Sequence, residues 1–157
     1  MAEKTNSMRL LEARKVSYEV YTFSPDIHSA QGLAEAIGLP ASQVFKTLVV
    51  QRERGRPLLV MVPGDRELDL KRLAQSIGEK KLRMATQKEA ETLTGLQVGG
   101  ISALALLHKG FEIYIDRSAL ALSRVVVSAG RRGINLGLAV SDLIRVTGAK
   151  MVDAAEG

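Results

Sequence analysis

The sequence predicts a mixed α/β fold, and three observations point to it. Segments with helical apolar spacing alternate with short runs rich in β-branched and aliphatic residues. Four of the helical segments stop at a glycine (Gly38, Gly78, Gly95 and Gly148), the residue that a left-handed helix cap favours. No low-complexity stretch, repeat or linker interrupts the 157 residues, so residues 1–157 read as one domain with its own core.

The elements follow in order. A first helix spans about Ser7 to Lys15, and Tyr18 to Phe23 reads as a strand. Ser29 caps a helix whose apolar side is Leu33, Ala34 and Ile37. Val44 to Gln51 and Leu58 to Val62 are aliphatic strands joined by Arg54-Gly55-Arg56-Pro57, a hairpin turn. The first of these two is apolar on both faces beyond its start, which marks it as a central strand covered on both sides. Asp69 opens the next helix, and Leu82 to Ala85 is a short strand. Thr86 and Glu89 have the spacing of a capping box. Phe111 to Asp116, Arg124 to Ser128 and Ile134 to Val140 are further strands, with a short helical connection near Ser118 to Leu122. Ser141 is expected to cap the last helix.

Composition bounds the function. The formal charge of +5 and a sequence pI near 9.7 favour an anionic partner. Absence of cysteine excludes a disulfide scaffold, a thiolate nucleophile and sulfur-ligated zinc. His28 and His108, the two histidines, have no ligand-spaced partners, so neither a metal nor a cofactor is expected. Tryptophan is absent and aromatics are scarce, which argues against a base-stacking platform. Neither a signal sequence nor a membrane-spanning run is read, so a cytoplasmic protein with no membrane partner is expected.

Three polar segments interrupt the apolar pattern. In Phe45-Lys46-Thr47-Leu48, Lys46 starts the central strand, where an unpaired ammonium is costly to bury unless the strand end opens into a polar pocket. A lysine at a sheet edge would instead run its stem to water. In Val98-Gly99-Gly100-Ile101-Ser102, adjacent glycines let a ligand approach the backbone N–H groups, as an oxyanion hole requires. Taken alone, a glycine pair is more often a turn. Val127-Ser128-Ala129-Gly130-Arg131-Arg132-Gly133 offers a hydroxyl, backbone donors and two guanidiniums suited to phosphate, or else a solvated hairpin. His28, just ahead of the second helix, is placed near the pocket mouth.

These segments, in this order, resemble the YbaK/EbsC family, which is related to the editing domain of bacterial prolyl-tRNA synthetases. Thr94-Gly95 ahead of the glycine pair, Ser141-Asp142-Leu143 and Gly148-Ala149-Lys150 add to the likeness, which runs from about Leu11 to Val152. The resemblance implies a twisted mixed sheet or partly closed barrel flanked by helices. It implies a trans-editing deacylase that removes a mischarged amino acid, most of all Cys, or Ala, from tRNA(Pro), with prolyl-tRNA synthetase as a partner. It assigns Lys46 to the terminal ribose or phosphate and oxyanion donors to Gly100, Ile101 and Ser102. Ser128 and Gly130 would line the amino-acid pocket, with Phe45, Thr47, Gly99, Arg131 and His28 contacting substrate. Phe23, Ala103 and Asn135 stand where relatives carry tyrosine, proline and an acidic residue. The alternative is a non-catalytic module that binds a tRNA end or nucleotide and docks on a synthetase.

Overall fold

The computed structural model describes residues 4–27 and 29–156. Its helices are α1 (Asn6–Ala13), α2 (Ala30–Ile37), α3 (Leu70–Ile77), α4 (Gln87–Thr94) and α5 (Val140–Thr147). Its strands are β1 (Glu19–Thr22), β2 (Phe45–Arg52), β3 (Leu58–Pro63), β4 (Leu82–Met84), β5 (Glu112–Asp116), β6 (Arg124–Arg131), β7 (Ile134–Ala139) and β8 (Lys150–Val152). The mixed α/β expectation holds, with the strands divided between two sheets. One sheet has the order β1-β7-β6, the other β4-β2-β3-β5-β8. A parallel bridge between Val44 and Val126 joins them at the start of β2.

Local chemistry accounts for most boundaries. Ser29, Asp69 and Thr86 each accept an N–H of the first helical turn, and Thr86 with Glu89 forms the reciprocal capping box. Gly38, Gly78, Gly95 and Gly148 adopt the left-handed cap. The β2–β3 hairpin pairs Phe45 with Pro63 through to Val50 with Leu58, and β4 closes the other side of β2, which is therefore central. Ser141 is not the cap of α5. That helix begins at Val140 directly out of β7, and its N-cap, Ala139, contributes no side-chain bond. Strand β8 and a 3-10 segment at Leu104–Lys109, which carries His108, were not foreseen.

Alternation along β2 divides the core. Phe45 and Val49 pack into the larger cluster between the sheets, with Leu59, Met61, Ile115, Val127, Leu136 and Leu143. Leu48 and Val50 face a second cluster under α3, with Val60, Val62 and Leu73. Phe45 and Val49 on one face of β2 and Val50 on the other are essentially inaccessible, as a strand buried on both faces requires. At the bridge to β6 the two sheets diverge from β2, and a cleft opens there.

Candidate active site

The cleft has a volume of about 440 Å³. Phe45 to Val49 of β2 line it, with Ser128 of β6 and Asn135 of β7 contributed by the other sheet. Val98, Gly99 and Ile101 form one wall, and Ile27, Ser29 and Gln31 from the entry to α2 lie at its opposite side. Glu67 completes the lining next to Lys46.

Lys46 sits where the strand pattern placed it, at a polar opening. Its side chain is 25% exposed, and its ammonium has one ionic partner among the described residues, Glu67 at 3.8 Å. The Glu67 side chain is 80% exposed, so this pair is loose and solvent-screened. The segment carrying Glu67 is pinned by the C-terminus. Glu156 donates its N–H to the Glu67 carbonyl, and Leu68 bridges Ala155. Asp116 holds that terminus by accepting the N–H groups of Ala154 and Ala155, each at 2.9 Å. Burial opposes ionisation of Asp116, but the bonds from Ser118, Ala154 and Ala155 outweigh it and draw its pKa below the usual carboxylate value.

The lining combines hydroxyl, amide and aliphatic groups. Thr47 Oγ1 and Asn135 Oδ1 are buried with no hydrogen-bond partner among the described residues. Asn135 is only 3% exposed. Buried polar atoms are nearly always paired; Ser118 Oγ is a third without a partner among the described residues, away from the cleft, and Thr47 and Asn135 are the two that lie along it. Ser128 Oγ accepts the Gly130 N–H at 3.1 Å.

The glycine loop is more ordered than its sequence suggests. Gly100 donates its N–H to the Gln97 carbonyl at 2.8 Å, and Gly99 carries φ +93°. A positive φ confined to the third residue defines a type II turn, Gln97 to Gly100. Gly100 itself packs on the neighbouring loop. A Cβ there would lie 2.9 Å from the Arg132 nitrogen and 3.0 Å from the Arg131 carbonyl carbon.

Phe45, Lys46, Thr47, Gly99, Ile101 and Ser128 come together on the cleft. Gly100, Ser102, Gly130 and Arg131 do not. The Gly100 N–H is already engaged, so it is no oxyanion donor. Ser102 is buried, and its Oγ caps the following 3-10 segment by accepting the Ala105 N–H. Gly130 supports the Ser128 turn from behind, and Arg131 is exposed on the outer side. His28 lies outside the described residues. Asn135, noted in the sequence only as standing where relatives carry an acidic residue, and Glu67 also lie on the cleft. Asn135 is a polar residue in an otherwise apolar strand, a signal that was visible in the sequence; Glu67 had none.

Chemically, the cleft offers a cation beside a polar wall and backbone at a glycine turn, an arrangement suited to polarising an already activated acyl ester. Among the described residues there is no group of three or more His, Asp or Glu able to hold a metal.

Residues 24–146 match the aminoacyl-tRNA editing domain family. The chain belongs to that family. It is 38% identical over 153 residues to an Enterococcus faecalis protein described as "Putative Cys-tRNA(Pro)/Cys-tRNA(Cys) deacylase EbsC", covering 96% of this chain and 93% of the relative. It is 29% identical over 113 residues to proline–tRNA ligases of Staphylococcus aureus, a match that takes in 72% of this chain and 19% of the ligase. Among solved structures it superimposes on one described as "hypothetical protein APE2540", with TM-score 0.85, 27% identity and coverage of 94% and 97%. Another, described as "a putative trans-editing enzyme for prolyl tRNA synthetase", gives TM-score 0.81 and 28% identity, with 99% and 100% of the two chains aligned. No helix of the described residues is long and apolar enough to cross a membrane.

Proposed function

We propose that this protein is a freestanding deacylase that clears a mischarged amino acid, Cys above all, from tRNA(Pro). The observation that carries the reading is the cleft itself. In a chain of the editing-domain family, it joins Lys46, the Gly99 N–H of the glycine turn and two buried polar groups without a partner among the described residues in about 440 Å³, room for an aminoacyl group and part of the terminal adenosine.

Lys46 holds the terminal ribose or phosphate and exchanges its loose Glu67 contact for the substrate's anion. Backbone donors at Gly99 and Ile101 stabilise the negative charge that develops on the ester carbonyl. Thr47, Ser128 and Asn135 receive the amino-acid side chain. With a cysteinyl ester, the substrate's thiol attacks its own carbonyl. A carbon–sulfur bond forms, the ester carbon–oxygen bond breaks, and the thiol proton passes to the departing ribose oxygen. For other residues water attacks: its oxygen bonds the carbonyl carbon, the ester carbon–oxygen bond breaks, and a water proton passes to the departing ribose oxygen. The similarity to a segment of proline–tRNA ligases supports prolyl-tRNA synthetase as the partner that presents the tRNA, in the cytoplasm.

The test is deacylation of Cys-tRNA(Pro), Ala-tRNA(Pro) and Pro-tRNA(Pro) by the wild type and by Lys46→Ala. Rapid loss of the cysteinyl ester, abolished in the variant and with Pro-tRNA(Pro) spared, is expected. No turnover of any ester while tRNA binding persists would overturn the reading in favour of a binding module.

A further inference from the structure

Two charged side chains hold the glycine turn from outside the cleft wall. Glu91, in the last turn of α4, accepts the Val98 N–H at 2.9 Å. Arg132, in the β6–β7 turn, donates Nε to the Val98 carbonyl at 2.8 Å. A carboxylate thus fixes one side of Val98 and a guanidinium the other. The central peptide of the type II turn joins the Val98 carbonyl to the Gly99 N–H. Because it is trans, the carbonyl and the N–H point in opposite directions, so the Gly99 N–H is directed away from Arg132. Gly99 lines the cleft, and its N–H has no partner among the described residues. Hydrogen bonds along a chain polarise one another, and a charge-assisted bond to a carbonyl strengthens the N–H of the same peptide as a donor.

The geometry points to Arg132 as a positioning residue that aims and strengthens the Gly99 N–H as a donor to the ester carbonyl. Glu91 fixes the same turn from the other side. The inference rests on reading the cleft as an aminoacyl-ester site. The close fit of Gly100 against the Arg131–Arg132 backbone stiffens the arrangement, because the two loops cannot separate independently.

Arg131 provides a matched control. It carries the same charge at the end of β6, next in sequence to Arg132, but its side chain is exposed and makes no hydrogen bond among the described residues. With Cys-tRNA(Pro) as substrate, Arg132→Gln is expected to lower kcat about tenfold, a fraction of the loss seen when a whole oxyanion donor is removed. Its KM should rise no more than that of Arg131→Gln. Arg132→Lys recovers part of kcat, because an ammonium can still donate to the Val98 carbonyl. In nitrogen-15-labelled protein, Arg132→Gln shifts the Gly99 amide resonance and Arg131→Gln leaves it in place. Equal losses in both variants, carried by KM and by a weaker salt dependence, would make Arg132 a phosphate contact and overturn the inference. An unmoved Gly99 resonance would do the same. Absence of turnover by the wild type overturns the deacylase reading and with it any catalytic donor. Normal wild-type turnover with kcat unchanged in Arg132→Gln overturns the Arg132 inference alone. Should Arg132→Gln not fold, Arg132→Lys and Glu91→Gln carry the same two readouts, each with a smaller kcat loss expected.

Discussion

Strand β2 carries a cation near each end, and the two are treated in opposite ways. Arg52, whose side chain is 11% exposed, donates Nε to the Arg56 carbonyl at 2.7 Å. Its other nitrogens reach Glu79 and Glu112, each at 3.2 Å. Tyr114 donates to that same Glu112 at 2.6 Å. Lys46, at the other end, has among the described residues one exposed carboxylate at 3.8 Å, and its neighbour Thr47 keeps a buried hydroxyl without a partner among them. One end of the strand is saturated and the other is left wanting. A saturated charge fixes a fold; an unsaturated one, held in a cleft, is available to a ligand.

The largest effect expected is at Lys46. Lys46→Ala should reduce kcat/KM for Cys-tRNA(Pro) by about 100-fold or more, with the thermal midpoint nearly unchanged. A large drop in the midpoint would show that Lys46 serves the fold, and the contrast with Arg52 would collapse.

Arg52→Met should behave in the reverse way. Removing the guanidinium leaves the Glu79 and Glu112 carboxylates without their shared cation. A loss of about 2 kcal/mol is expected, read as a shift of several degrees in Tm, while the folded fraction retains its turnover.

The orphan polar atoms sharpen the comparison at smaller scale. Thr47→Val keeps the shape and removes an unpaired hydroxyl, so stability should hold or rise by up to about 1 kcal/mol. Cysteinyl-ester turnover should fall about tenfold, since a hydrogen bond of roughly 1.4 kcal/mol is lost only in the complex. A destabilised Thr47→Val would reveal a partner inside the fold.

The smallest effect is in acid. The Tyr114 hydroxyl, helped by Arg52 and opposed by desolvation, holds the Glu112 carboxyl below its ordinary value of 4.5, and the hydroxyl is itself pushed up to about 12. A depressed folded-state pKa means that this contribution is complete above 4.5 and fades as pH falls through the lower folded value. Glu112→Gln should flatten the fall of Tm below pH 4.5 without altering the neutral-pH activity profile. An unchanged acid slope would remove Glu112 from the saturated network.

Much of the fold was legible because it is written locally. Ser29, Asp69 and the Thr86–Glu89 pair bond within one helical turn, and the glycine stops need only their own backbone angles, so their positions follow from a few neighbouring residues. Ser141 misled for the same reason: its hydroxyl suits a cap, but β7 runs straight into α5 and the N-cap falls two residues earlier, at Ala139. Strand β8 has three residues and exists only because β5 offers a parallel edge. In the cleft, Lys46 was legible as a cation in an apolar strand and Gly99 as half of a glycine pair. The family resemblance placed Gly100 and Ser102 in the donor role, yet the Gly100 N–H is turned to Gln97 and the Ser102 hydroxyl to Ala105.

The sequence by itself determined the alternation of elements, the helix ends, the central strand and the cation at its start, since each depends on spacing or on one residue's own conformational preference. Only the tertiary structure decided that Asn135 and Thr47 would line the same cleft, that Glu67 would be carried to Lys46 by the C-terminal segment, and that Arg132 rather than Arg131 would grip the glycine turn. Those pairings join residues 20 to 90 positions apart, and which of two adjacent side chains faces inward depends on strand register and on how the two sheets diverge.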